Sequence, residues 1–141
     1  MQKLNLPEFE LKLRGQDVFC LVRRKWIFLT SEEWVRQHFL NLMINHLAYP
    51  KGMMRLEHLM AYFRSLKRSD VIILSKNAGI FLILECKAPS VKINQKVITQ
   101  VSEYNKVLKA RFIAVSNGMN HFIWERREGD YLQLKTFPEY E

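Results

Sequence analysis

The sequence predicts an α/β domain: a mixed central sheet flanked by helices, with an added N-terminal β-hairpin. Three observations predict it. The runs Val71 to Leu74 and Ile80 to Leu84 are uninterrupted, apolar and β-favouring, and Lys76-Asn77-Ala78-Gly79 lies between them. This is the pattern of a tight hairpin whose strands are buried on both faces, and so of the middle of a sheet. Apolar residues recur at helical spacing before this pair, in residues 32–47, and after it, in residues 93–108. A further apolar run, Phe112 to Val115, follows the second helix. With 141 residues and 48% hydrophobic content the chain is long enough for one domain with a real core and short for two. The expected organisation is a single unit over 1–141, with 1–29 as the hairpin extension, 30–126 as the core, and 127–141 as a C-terminal strand and tail.

Taken in order, residues 8–14 alternate and residues 18–22 are apolar, with Gly15, Gln16 and Asp17 as turn material, which predicts the N-terminal hairpin. Thr30 and Ser31 precede Glu32 and Glu33, a hydroxyl cap followed by acids in the positive first turn of a helix. The helix should run from Glu32 to Leu47 on the stripe Val35, Phe39, Leu42, Met43 and Leu47, leaving its other faces polar, and Tyr49-Pro50-Lys51-Gly52 should end it. Residues 53–63 fit strand alternation or a short helix, and the strand is preferred. Ile93, Val97, Val101, Tyr104 and Leu108 mark the second helix. Asn117-Gly118 makes a turn, and His121 to Glu125 and Tyr131 to Leu134 finish the chain as strands flanking Gly129.

Charge and composition narrow the function. A net charge of +8 gives a field that attracts polyanions, and the excess is spread over Arg23, Arg24 and Lys25, then Arg64, Lys67 and Arg68, then Arg126 and Arg127. Nucleic acid is the expected partner and a membrane is not: no segment joins a basic face to an exposed apolar one. No apolar run nears the roughly 18 residues of a membrane span, and MQKLNLPEFE lacks the order of a signal peptide, so a cytoplasmic protein is expected. Cys20 and Cys86 are too few and too isolated for a disulfide framework or a C-x-x-C motif. His38, His46, His58 and His121 lack zinc spacing, and structural roles are expected for each.

Chemistry appears where Asp70 opens one buried run while Glu85 and Lys87 close the other. Burying a carboxylate is costly unless it is paired or binds a metal, so two acids at adjoining strand ends suggest a cation between them. Glu85 and Lys87 share a strand face while Cys86 points away. If the hairpin closes at Asn77-Ala78, Asp70 lies opposite Glu85; a three-residue turn with Gly79 in the left-handed region shifts that pairing by one. A hard divalent ion, Mg²⁺ or Mn²⁺, would take oxygen ligands from Asp70, Glu85 and the Cys86 backbone carbonyl. It would activate water against an anionic phosphodiester, with Lys87 as base or charge stabiliser. Against this stands an ordinary Glu–Lys pair at a strand end beside a turn aspartate.

With these residues the sequence resembles the PD-(D/E)xK nucleases, and within them the N-terminal nuclease domain of the type I restriction enzyme R subunit, in its small stand-alone form. The resemblance is carried by Leu29-Thr30-Ser31-Glu32-Glu33-Trp34-Val35-Arg36-Gln37, Arg68-Ser69-Asp70, Leu84-Glu85-Cys86-Lys87-Ala88-Pro89-Ser90 and Ser116-Asn117-Gly118, and spans about Leu4 to Arg126. It implies a restriction-endonuclease-like fold and Mg²⁺-dependent hydrolysis of DNA by Asp70, Glu85 and Lys87. It also implies a Gln-x-x-x-Tyr motif, matched by Gln100 and Tyr104, whose one-turn spacing lets both side chains reach the strand ends. An acid of the first helix belongs to the site: Glu32 shares the Val35 and Phe39 stripe, Glu33 is the alternative, and helix capping accounts for either. Arg68 would contact a phosphate or pair with an acid of the site.

Ser69 stands where the motif has its proline, and no G-x-x-x-x-G-K-[ST] stretch occurs, so no ATP site is expected in this chain. DNA is the implied partner, with a homodimer or restriction-type partner subunits alongside it. The competing class is a non-catalytic nucleic-acid-binding or complex-forming module that retains the fold, and a purely structural interaction is a third. DNA against RNA, and end against internal cutting, stay open.

Overall fold

A computed structural model describes residues 1–56 and 70–141, Asp70 by its backbone alone. Two sheets form among these residues. The first is small and antiparallel, in the order β1 (Leu13–Arg14), β2 (Asp17–Phe19), β3 (Trp26–Phe28). The expected hairpin is therefore joined by a third strand. The second sheet holds β4 (Met54–Leu56), β5 (Asp70–Leu74), β6 (Ile80–Cys86), β7 (Phe112–Ser116), β8 (His121–Arg127) and β9 (Asp130–Leu134) in that order. Its pairings are antiparallel except β6 with β7, which run parallel. That exception follows from the crossover helix α2 (Gln95–Leu108) between them, since a tight turn cannot join parallel strands.

Helix α1 (Ser31–Asn41) starts where its cap predicts: the Glu33 N–H donates to Thr30 Oγ1 at 3.0 Å. It ends earlier than Leu47 as a regular α-helix, because Leu42–His46 form a π-helical turn closed by the Leu47 N–H on the Leu42 carbonyl. The π turn widens the ring by one residue and shifts the stripe, so Met43 stays fully buried while Leu42 and Leu47 are partly exposed. The strand preferred for 53–63 is realised at Met54–Leu56; residues 57–63, with Arg64, Lys67, Arg68 and Ser69, lie outside the described residues.

The large sheet is covered on both faces. Val35 and Phe39 of α1 and Met43 of the π turn pack with Leu82, Leu84, Cys86, Phe112, Ala114 and Ile123. On the other face Val101 of α2 meets Ile113 and Val115, with Ile93 and Val97 at the margin. This explains the unbroken apolar runs: every residue of β6 from Phe81 to Cys86 is buried. Among the described residues no helix is long and apolar enough to cross a membrane.

The Asn117-Gly118 turn also anchors the N-terminus, through the Asn5 N–H on the Gly118 carbonyl at 2.9 Å. Gly118 has φ +87, and a Cβ there would stand 2.8 Å from Leu4 Cδ2 and 3.1 Å from Val35 Cγ2. Gly129 has φ +86 with nothing within 4 Å. Both glycine-to-alanine changes incur backbone strain of about 1–2 kcal/mol, but only Gly118→Ala adds a clash in the core. In thermal unfolding Gly118→Ala is expected to lower Tm by more than Gly129→Ala, and equal shifts would show that Leu4 moves aside without cost.

Candidate active site

The backbone pairing brings the proposed residues to one end of the large sheet. Asp70 is directly opposite Glu85 in the β5–β6 ladder, Glu85 is level with Val115, and Cys86 is level with Ser116, which in turn faces His121. Opposite residues of an antiparallel pair have Cα atoms about 4.5–5.5 Å apart. The register reaches this pairing by an indirect route. The Ser75 N–H bonds the Gly79 carbonyl, Ala78 rather than Gly79 takes the left-handed conformation (φ 68), Leu74 pairs with Ile80, and a bulge at Ile73/Leu74 shifts the ladder back by one.

Strand alternation puts Glu85 on the α2 side with its neighbour Val115, while Leu84 and Cys86 face α1. Glu85 is 2% exposed and Lys87 8% exposed, and Lys87 Nζ lies 3.1 Å from Glu85 Oε1. The Lys87 N–H donates to the Ser116 carbonyl of β7 at 2.8 Å. Since successive residues direct their backbone groups to opposite neighbours, the Cys86 carbonyl faces the β5 side, where Asp70 begins.

Above this pair, Gln100 and Tyr104 sit one turn apart on α2, both partly buried. Burial and the nearby Glu85 carboxylate raise the Tyr104 pKa, against a hydrogen bond from Gln100 and the charge of Lys87. The four side chains thus share one electrostatic environment. The loop between β6 and α2 is tied down by Asn117, whose Nδ2 donates to the Val91 carbonyl at 2.9 Å while its Oδ1 accepts from the Met119 and Asn120 N–H groups.

A second polar cluster lies on the α1 side. Glu33 is 3% exposed; its Oε1 receives Arg23 at 2.7 Å and Arg36, and its Oε2 accepts from Gln37 Nε2 at 2.9 Å. Gln37 Oε1 accepts the Leu21 N–H, so the cluster joins α1 to the N-terminal sheet. Cys20 completes it. Burial opposes its thiolate but is outweighed by hydrogen bonds from the Arg23 side chain and backbone and from Gln37, and the pKa is lowered. Cys86, by contrast, is pushed well up by burial; the charge of Arg36 works against this, and those of Glu85, Glu33 and Glu32 add to it.

The faces of α1 away from the apolar stripe are polar, as expected, but they are not left to solvent. Glu33, Arg36, Gln37, His38 and Asn41 are all buried. The Glu33–Arg36 ion pair and hydrogen bonds to Gln37, His38 and Asn41 make that burial tolerable. Of the two candidate acids Glu33 is the one enclosed in this cluster, while Glu32 is partly exposed on the same first turn. Sequence reasoning did not single out Arg23, Arg36, Gln37 or Asn117 for the site. The i, i+3, i+4 spacing of Glu33, Arg36 and Gln37 was the available signal. Two of the histidines have local partners: His38 Nδ1 meets the Trp34 carbonyl at 2.8 Å, and His121 is held between Ser116 Oγ at 2.6 Å and the Asn5 carbonyl at 2.8 Å, while His46 is exposed and His58 lies outside the described residues.

The fold and site together define a mixed α/β protein with acids, a lysine and a Gln-x-x-x-Tyr pair gathered at one sheet end. Residues 31–138 match the family model described as Type I restriction enzyme R protein N terminus (HSDR_N). The chain belongs to that family. The small N-terminal sheet lies outside the matched span. No curated protein and no solved structure matches the chain.

Proposed function

We propose that this chain is a restriction-type nuclease of the PD-(D/E)xK kind that hydrolyses DNA phosphodiesters with Mg²⁺, or Mn²⁺ in its place. The observation that carries the reading is the buried Glu85–Lys87 pair at a sheet end, in register with Asp70 and beneath Gln100 and Tyr104. The donor set suits a hard cation: the Glu85 carboxylate, the Cys86 carbonyl on the β5 side and the acid at Asp70 are all oxygen donors. When bound, the ion supplies Lewis-acid activation of the phosphate and a lowered pKa for the attacking water.

The protein's own groups do the rest. Lys87 Nζ orients the water or takes its proton, and offsets negative charge building on the phosphate. Gln100 and Tyr104 place the DNA backbone or the catalytic side chains, and Asn117 fixes the loop that leads from Lys87 into α2. Arg68, in the undescribed stretch before Asp70, is assigned to a phosphate or to an acid of the site. DNA is the proposed partner, in company with a second copy or restriction-type subunits.

A second reading is favoured by the 3.1 Å Lys87–Glu85 contact, which is also what a structural ion pair in a non-catalytic binding module would show. Thermal unfolding separates them. At a free Mg²⁺ concentration 100-fold above its Kd, the native protein should gain about 2.7 kcal/mol, and Asp70→Asn should abolish that gain. Linear and circular DNA and RNA of matched length, incubated with Mg²⁺, Mn²⁺ or EDTA, then report substrate and mode of attack. DNA binding that survives Asp70→Asn, with no metal shift and no cleavage in either protein, would sink the nuclease reading in favour of the module.

A further inference from the structure

The small N-terminal sheet turns one face to the core and the other to solvent. Leu13, Val18 and Ile27 form one paired row, in which Val18 is fully buried, Ile27 packs on the main core and Leu13, on the edge strand, is 55% exposed. The rows on either side of it project the opposite way. One is Arg14, Asp17 and Phe28; the other is Phe19 and Trp26, extended by Lys12 through the Phe19 N–H on the Lys12 carbonyl at 2.9 Å. The outward face therefore carries three aromatic rings, two cations and one carboxylate.

These side chains are organised. Phe19 and Trp26 meet edge to face at 5.4 Å. The Arg14 guanidinium lies 4.1 Å from the Trp26 ring centroid, and Lys12 Nζ lies 5.2 Å from that of Phe19 and 5.9 Å from that of Trp26. Phe28 is 60% exposed. Arg24 and Lys25, both exposed, precede the first residue of β3. Core packing explains none of the outward rings, and contacts of this kind at exposed sites contribute only about 0.5–1 kcal/mol each.

Such a face suits a ligand with flat apolar surfaces and regularly spaced negative charge. Unstacked bases pack on aromatic rings and guanidinium planes, while adjoining phosphates meet lysine and arginine. A duplex keeps its bases stacked and offers mainly phosphates. Lysine is depleted in the cores of protein–protein interfaces, so Lys12 beside the rings favours the polyanion over a protein partner. We propose that the outward face of β1–β3 binds single-stranded nucleic acid, with Phe28 and Trp26 as stacking platforms and Lys12 and Arg14 as phosphate contacts. The site uses residues 12–28 alone and is independent of metal-dependent cleavage.

The test is fluorescence anisotropy of a labelled oligo(dT) titrated with the full chain in EDTA, so that cleavage does not enter. The wild type should prefer the single strand over a duplex of equal length. Phe28→Ala and Trp26→Ala should each weaken single-strand binding on the order of tenfold. Arg14→Ala should lower the slope of log affinity against log salt by about 0.7. Phe28 is exposed, so its variant should unfold at the wild-type temperature, which separates loss of contact from loss of fold. Unchanged affinity in the folded Phe28→Ala variant, equal affinity for duplex, or an unchanged salt slope in Arg14→Ala would each overturn the assignment.

Discussion

Lys87→Ala is expected to abolish metal-dependent cleavage, by roughly 10²–10⁴-fold if Lys87 serves as base or charge stabiliser. It should also lower stability in the absence of metal. Lys87 Nζ is 3.1 Å from a Glu85 carboxylate that is 2% exposed, and removing one partner of a buried pair costs about 3–5 kcal/mol. The two losses should respond differently to Mg²⁺. A divalent ion on the Glu85 carboxylate replaces the missing positive charge, so the Tm difference between variant and wild type should narrow as Mg²⁺ is added, while cleavage stays lost. Melting curves and cleavage assays across one Mg²⁺ series, below both melting temperatures, read both effects. A variant that cuts DNA at the wild-type rate would remove Lys87 from the chemistry and leave it a structural partner of Glu85. A Tm gap that Mg²⁺ leaves unchanged would instead argue that the metal is not held by Glu85.

The site's sequence-level reading and its geometry meet most closely at β5 and β6, and the reason is physical. Two strands buried on both faces are apolar without interruption, so the polar residues Asp70, Glu85 and Lys87 at their ends stand out. The register was harder. Closure at Asn77-Ala78 and closure with a left-handed Gly79 give pairings one residue apart, whereas the chain uses a left-handed Ala78 and a compensating bulge. Two irregularities that cancel leave no trace in an apolar pattern. The third strand of the N-terminal sheet, Trp26–Phe28, is three residues with no polar alternation, too short to register against Arg24 and Lys25 before it. The buried polar side of α1 was illegible for a different reason. Its hydrophilic residues look solvated in isolation, and they are buried because Arg23 and the Leu21 backbone arrive from a loop ten or more residues earlier.

That cluster carries the second large effect. Glu33→Gln keeps the shape of the side chain and the Thr30 cap, because the capping donor is the backbone N–H of residue 33. It removes the carboxylate that Arg23 and Arg36 share, and their side chains are 10% and 6% exposed. Both buried guanidinium groups would then meet a neutral amide in place of a carboxylate, with little water to compensate. The expected cost is about 3–5 kcal/mol, seen as a fall in Tm of roughly 10 °C or more for a chain of this size. Glu32→Gln, on the same turn but partly exposed, should change stability by no more than about 0.5 kcal/mol. The pair of variants therefore separates an acid that holds α1 to the N-terminal sheet from one that only favours the helix start. Assayed below its melting temperature, Glu33→Gln also reports whether the cluster reaches the chemistry. Near-normal cleavage would confine Glu33 to holding the fold together. Loss of cleavage in a folded Glu33→Gln variant, with Glu32→Gln unaffected, would place the first-helix acid of the site at Glu33.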